Sequence, residues 1–151
     1  MKKINVFILF LMSFYAINTN AQDYLAAVGV GLDFGNGSTL VGPSGKYFFS
    51  ENHAGMAEVL FGDRITAINL LYQYHGQFSG ADGLQWFAGG GPAFLLGSGN
   101  SDVGIKPMVG LDYKLNNVPL SFSLDWRPYI SFDSGGSEAA RFGLGFRYVI
   151  E

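Results

Sequence analysis

Residues 141–150, Arg-Phe-Gly-Leu-Gly-Phe-Arg-Tyr-Val-Ile, decide how this chain is read. Phe142, Leu144, Phe146, Tyr148 and Ile150 share one parity; Arg141, Gly143, Gly145, Arg147 and Val149 share the other. A strand sends alternate side chains to opposite faces. One face of this strand is therefore large and apolar, and the other is small or cationic. A soluble sheet would bury the apolar face in a core and turn the polar face to water. Two arginines spaced by glycines suit a narrow polar interior instead. The apolar face then points outward, toward lipid.

Seven further segments carry the same alternation. In 24–34, Tyr24, Ala26, Val28, Val30, Leu32 and Phe34 face out, and Leu25, Ala27, Gly29, Gly31 and Asp33 face in. In 40–50, Lys46 is opposite in parity to Tyr47 and Phe49. In 54–62, Val59 and Phe61 face out and Glu58 in; in 65–78, Asn69, Gln73 and His75 share the inner face. Segment 84–96 is interrupted by Gly89-Gly90-Gly91-Pro92, which marks a bend or a close backbone approach. Segment 105–115 places Lys106 and Asp112 inside. Segment 120–132 turns Leu120, Phe122, Leu124, Trp126 and Ile130 out and Asp125, Arg127 and Tyr129 in. Turn-forming residues separate all of them, most plainly Gly35-Asn36-Gly37-Ser38 and Ser79-Gly80-Ala81-Asp82-Gly83.

The expected fold is all-β: an eight-stranded antiparallel up-and-down transmembrane β-barrel. The strand number is even, and spanning strands need about 9–11 residues when tilted. An open sheet could not sit in hydrocarbon, because its edges would leave N–H and C=O groups unpaired. With the N-terminus on the periplasmic side, Tyr24, Tyr47, Phe49, Tyr72, Tyr74, Trp86, Tyr113 and Tyr148 collect near one interface. Phe34, Phe61, Phe94 and Phe142 collect near the other. Such aromatic belts are expected of a membrane barrel.

Composition agrees. Of 151 residues, 14% are charged, 16% are aromatic and 22 are glycine; soluble domains carry roughly 25% charge and 7% glycine. A net charge of −3 argues against a nucleic-acid partner, which asks for a basic footprint. Without cysteine there is no disulfide scaffold. At the N-terminus, Lys2 and Lys3 precede a mostly apolar run at 4–17, and Thr19-Asn20-Ala21 offers small residues for cleavage. Residues 1–21 are expected to be a cleaved signal peptide and 22–151 the barrel. The apolar run is shorter than the roughly 20 residues a spanning helix needs.

The residues also carry a resemblance. Gly45-Lys46-Tyr47-Phe48, Leu71-Tyr72-Gln73-Tyr74-His75, residues 83–91 (Gly-Leu-Gln-Trp-Phe-Ala-Gly-Gly-Gly), Val109-Gly110-Leu111-Asp112-Tyr113 and residues 118–128 resemble small exported barrel proteins of Gram-negative bacteria. The likeness covers most of the mature chain. The chain looks like an outer-membrane β-barrel family, mostly of undefined activity, that is similar in architecture to OmpA/OmpX-type eight-stranded barrels. The resemblance implies an outer-membrane location, with outer-membrane lipid and the insertion machinery as partners, and a monomer. One departure is visible: many such barrels end in an aromatic residue, whereas this chain ends Tyr148-Val149-Ile150-Glu151.

For function, the inward ionisable residues matter most. Lys46, Glu58, Asp112, Asp125, Arg127 and Arg147 are expected to form an ionic network that fills the lumen. Counting back from the intervening turns pairs Lys46 with Glu58 and Asp125 with Arg147. Small eight-stranded barrels are filled by their own side chains, and buried charges need partners. His53 and His75 are the only histidines. A Ser79–His75 pair is the one hydrolase-like combination, and no nucleophile, base and carboxylate spacing supports it. No metal or cofactor motif is present; Gly89-Gly90-Gly91 lacks the Lys-Ser/Thr of a phosphate loop. The expectation is a non-enzymatic envelope barrel with a structural role. A small pore or transporter of apolar molecules, invited by 89–92, is one alternative. A soluble periplasmic lipocalin-like barrel, which would reverse inside and outside, is the other.

Overall fold

The computed structural model describes residues 24–133 and 136–151; the signal segment expected at 1–21 lies outside them. The described chain forms β1 (Ala26–Gly35), β2 (Ser38–Ser50), β3 (His53–Phe61), β4 (Ile65–Gln77) and β5 (Leu84–Gly97). β6 (Ser101–Lys114), β7 (Leu120–Trp126), β8 (Tyr129–Ser131), β9 (Ser137–Glu138) and β10 (Arg141–Ile150) follow. All pairings are antiparallel, and β1 pairs with β10, so the sheet closes. β7 and β8 are two pieces of one wall strand, and β9 and β10 two pieces of the last. The result is a closed eight-stranded antiparallel barrel.

The opening stretch is the seam. β10 lies between β1 and β7, with Phe146 opposite both Val30 and Phe122. Ala26 pairs with Ile150, so both ends of the described chain reach one rim, here the terminal rim. The connections at 51–52, 78–83 and 115–119 lie there too. The far rim carries those at 36–37, 62–64 and 98–100, together with Phe132, Asp133 and Gly136. The far-rim connection between β1 and β2 is a two-residue hairpin, Asn36-Gly37, with φ of 47° and 76°. Positive φ at both positions is the type I′ geometry that matches strand twist, and Asn-Gly is its preferred pair.

Alternation holds round the wall. Outside, Val28, Val30, Phe61, Leu70, Val109, Leu111, Leu124, Phe146 and Tyr148 are exposed. Inside, Asp33, Lys46, Glu58, Lys106, Asp112, Asp125, Arg127, Arg141 and Arg147 are buried. This is the reverse of a water-soluble barrel.

The structure departs from expectation in four places. Tyr24 does not join the outer belt. It precedes β1 and is buried, because the parity slips between Leu25, which is exposed, and Ala27, which is buried. β6 starts at Ser101 rather than 105, since Ser101–Val103 pair with Phe94–Leu96 and shorten the loop. The seventh wall strand breaks at Arg127-Pro128, where proline has no N–H for a ladder. The interior is also less uniformly polar than the parity of charged residues suggests. Apolar clusters sit at the terminal rim (Tyr24, Ala27, Phe48, Ala54, Val149), at mid-height (Met56, Leu71, Phe87, Met108) and toward the far rim (Leu40, Leu60, Ala67).

Gly89 and Gly91 are explained by close approach. A β-carbon on Gly89 would meet the Tyr72 carbonyl oxygen, and one on Gly91 the Leu70 carbonyl oxygen. The run still pairs with β6, Gly89 with Met108 through Pro92 with Ile105.

Candidate functional site: the ionic lumen

Inward parity on six of the eight wall strands delivers the lumen charges: β1 gives Asp33, β2 Lys46, β3 Glu58, β6 Lys106 and Asp112, the seventh strand Asp125 and Arg127, and β10 Arg141 and Arg147. Among the described residues these are five cations and four carboxylates, all buried. They occupy three levels.

Nearest the terminal rim, Lys46 forms an ion pair with Asp112. Tyr24 donates its hydroxyl to Asp112 Oδ2 at 3.0 Å. Tyr24 lies ahead of β1; burial and then the Asp112 carboxylate push its phenol well above its ordinary range. The Lys46 ammonium also lies 5.1 Å from the centroid of Phe87. His75 sits beside this pair with both ring nitrogens engaged, Nδ1 with Gln85 Oε1 at 2.9 Å and Nε2 with Gln73 Oε1 at 3.0 Å.

At mid-height, Arg127 is the hub. Its Nε and Nη2 donate to the two oxygens of Asp125 at 2.5 and 2.6 Å, and Nη1 donates to Glu58 Oε2 at 2.7 Å. Asp125 lies two residues before Arg127, on the same face, so alternation alone makes this pair. Glu58 also accepts from Ser44 and Asn69, each at 3.2 Å. Arg147 approaches Glu58 at 3.7 Å and donates to Ser123 at 2.9 Å and Ser44 at 3.1 Å. The glycines of the seam make room for these groups. A β-carbon on Gly143 would collide with the Arg127 guanidinium, one on Gly145 with that of Arg147, and one on Gly31 with Glu58 at 2.7 Å.

At the far rim, Asp33 bridges Lys106 at 2.5 Å and Arg141 Nε at 2.8 Å. Arg141 Nη1 donates to Glu138 at 2.7 Å and to Ser38 at 3.1 Å.

All six residues singled out from sequence thus lie inside, but the two expected pairings are wrong. β2 and β3 are registered with Lys46 opposite Met56 and Ser44 opposite Glu58. β7 and β10 pair Asp125 with Gly143, and Arg147 with Ser121. Lys46 therefore reaches across the lumen to Asp112, and Asp125 takes Arg127. Each register differs from the counted one by an even number of residues, which preserves the face and changes the partner. The far-rim group of Asp33, Lys106 and Arg141 was missed as part of the network. Its signal was the inward parity already visible in 24–34, 105–115 and 141–150.

The chemistry of this lumen is that of mutual neutralisation. His75 is taken up by two glutamines, and Ser79 is exposed in the loop after β4, so the Ser79–His75 combination is not assembled. His53 lies on the outer wall at the start of β3, with Nδ1 at 2.5 Å from Tyr72 OH. Among the described residues no three His, Asp or Glu side chains are grouped to hold a metal ion. Comparison with known protein families and with curated proteins finds no match. Function rests on the geometry.

Proposed function

We propose that this chain is an integral outer-membrane β-barrel, non-enzymatic, whose lumen is filled by its own ionic network and whose role is structural, in maintaining the envelope. One observation carries the reading: the barrel is apolar outside and ionic inside. Exposed Val28, Val30, Leu70, Val109, Leu111, Leu124 and Phe146 leave an apolar belt that water would not favour. Tyr47, Phe49, Tyr72, Tyr113 and Tyr148 toward the terminal rim, with Phe61, Phe94 and Phe142 toward the far rim, fit interfacial girdles. A lipocalin-like role is less well supported, because an apolar ligand would have to displace paired ions. A wide pore is likewise poorly supported by the stacked levels of bonded side chains.

The test is fractionation of the producing cell, then electrophoresis of the purified chain with and without boiling. The expected result is recovery with the outer membrane and a band whose mobility changes on heating. Recovery in the soluble periplasm would overturn the proposal.

A further inference from the structure

On the outer wall, toward the terminal rim, an apolar groove of about 670 Å³ crosses β1 to β4. Its floor is Gly45, Gly55 and Ala57, which are neighbours in the ladder: Gly45 pairs with Ala57, and Gly55 with Tyr47 and Tyr72. Val28, Tyr47 and Tyr72 stand round it. The fold does not require this floor. At Gly89 or Gly91 a β-carbon would run into a carbonyl oxygen, and at Gly143 into a guanidinium. At Gly45 it would meet nothing within 4 Å among the described residues, and at Gly55 only the edge of the Phe49 ring at 3.9 Å. Neither glycine has a positive φ. Glycine weakens a strand unless something approaches it closely, and here no part of the described chain does so.

The second observation is the polarity of one end. The outer row of β3 runs His53, Gly55, Ala57, so His53 closes the floor on the rim side. Its ring centroid lies 6.2 Å from that of Phe49 and 5.9 Å from that of Tyr72, both of which line the groove. His53 Nδ1 is 2.5 Å from the Tyr72 hydroxyl. One hydrogen serves that bond, and the pair keeps another to give. If Tyr72 donates, His53 carries Nε2–H; if Nδ1 donates, Tyr72 keeps its O–H. The groove is thus apolar along its length and has a hydrogen-bond donor at the end nearest the rim, where headgroups meet an aromatic girdle. That polarity matches a phospholipid, apolar chain first and phosphate last. We propose that the groove binds one phospholipid molecule, its acyl chain laid over Gly45, Gly55 and Ala57 and a phosphate oxygen accepting from the His53–Tyr72 pair. The site rests on the reading that the outer wall meets lipid.

The test titrates the full chain, refolded in detergent, with dioleoylphosphatidylglycerol, and native mass spectrometry counts the lipids that stay on the barrel. The expected result is saturation at one lipid per barrel. Gly45→Leu fills the groove at a position whose β-carbon has open space, so the chain should still give the heat-modifiable band while the adduct vanishes. His53→Phe combined with Tyr72→Phe keeps both rings and removes the donors. It should weaken binding about tenfold or more, the loss expected for a hydrogen bond to a charged group. Unchanged binding in that double variant would overturn the phosphate contact. A folded barrel that keeps no lipid, a dimer of the chain in place of the adduct, or an adduct untouched by Gly45→Leu would overturn the site and leave the lipid-facing wall standing. Recovery of the chain in the soluble periplasm would overturn that wall, and the site with it.

Discussion

Arg127 shows how individual residues hold the lumen. It serves two carboxylates, Asp125 and Glu58, deep in the barrel. Replacing it with Met strands Asp125, while Glu58 keeps Arg147 at 3.7 Å. Stranding a buried charge costs about 3–5 kcal/mol, so Arg127→Met should lower the unfolding free energy of the refolded barrel, read from its urea titration, by that amount. Adding Asp125→Asn to the same chain should restore much of the loss, because the unpaired charge goes with its partner. No recovery in the double variant would show that Arg127 acts by packing alone. Gly143 supports the same hub from behind. Gly143→Val places methyl groups where the guanidinium lies, and overpacking of this kind costs about 1–3 kcal/mol. That loss should shrink when Arg127 is already Met. Membership of the lumen was legible in the sequence because facing is a local property, set by parity along one strand. Partnership was not. Lys46 meets Asp112 from a strand far off in sequence, and that meeting is decided by closure and stagger. Tyr24 was misplaced for a related reason: one irregular step ahead of β1 inverts a side chain, and no residue there announces it.

Elements were more legible than partners, and turns most of all. Asn36-Gly37 was a turn from its composition, and the structure makes it the two-residue link of β1 to β2. Substituting Ala-Ala forces positive φ on two residues with a β-carbon, at about 1–2 kcal/mol each. The expected outcome is slower appearance of the folded band in a refolding time course, with a lower urea midpoint. The interruption at Arg127-Pro128 was harder to see, because Arg127 and Tyr129 keep the inward parity across it. The alternation runs on while the ladder stops, and only Pro128 gives the reason. In β5 the triple glycine was read as a bend or a close approach, and of the two the structure shows the close approach. Gly91→Val should prove more damaging than Ala88→Val, since the first would drive a side chain into the Leu70 carbonyl. A comparison of the two urea midpoints checks this.

For the whole molecule the decisive property is inversion of polarity. Leu124 is 51% exposed on β7, midway along the wall between the rims. If lipid surrounds it, Leu124→Arg should cost about 2–4 kcal/mol near the midplane, read from folding into liposomes. The same change in a water-facing wall would cost almost nothing. The eight-stranded plan and its polarity could both be read from alternation, because every strand repeats them. The apolar clusters interleaved with the ions could not, since Phe48 and Phe87 look by type like outer-wall residues. The pairing of β1 with β10 has a further consequence, for assembly. The seam joins the first strand made to the last, so no intermediate lacking β10 can be a barrel; it is a sheet with two raw edges, along β1 and β7. Such edges recruit other chains. Nucleation by the neighbouring hairpins can be fast, yet the step that removes the edges waits on the contact of greatest sequence separation, and long-range closure is slow. Between synthesis and closure the chain is therefore at its most vulnerable to aggregation, and a chaperone that masks β1 until β10 arrives would protect it at the moment that matters.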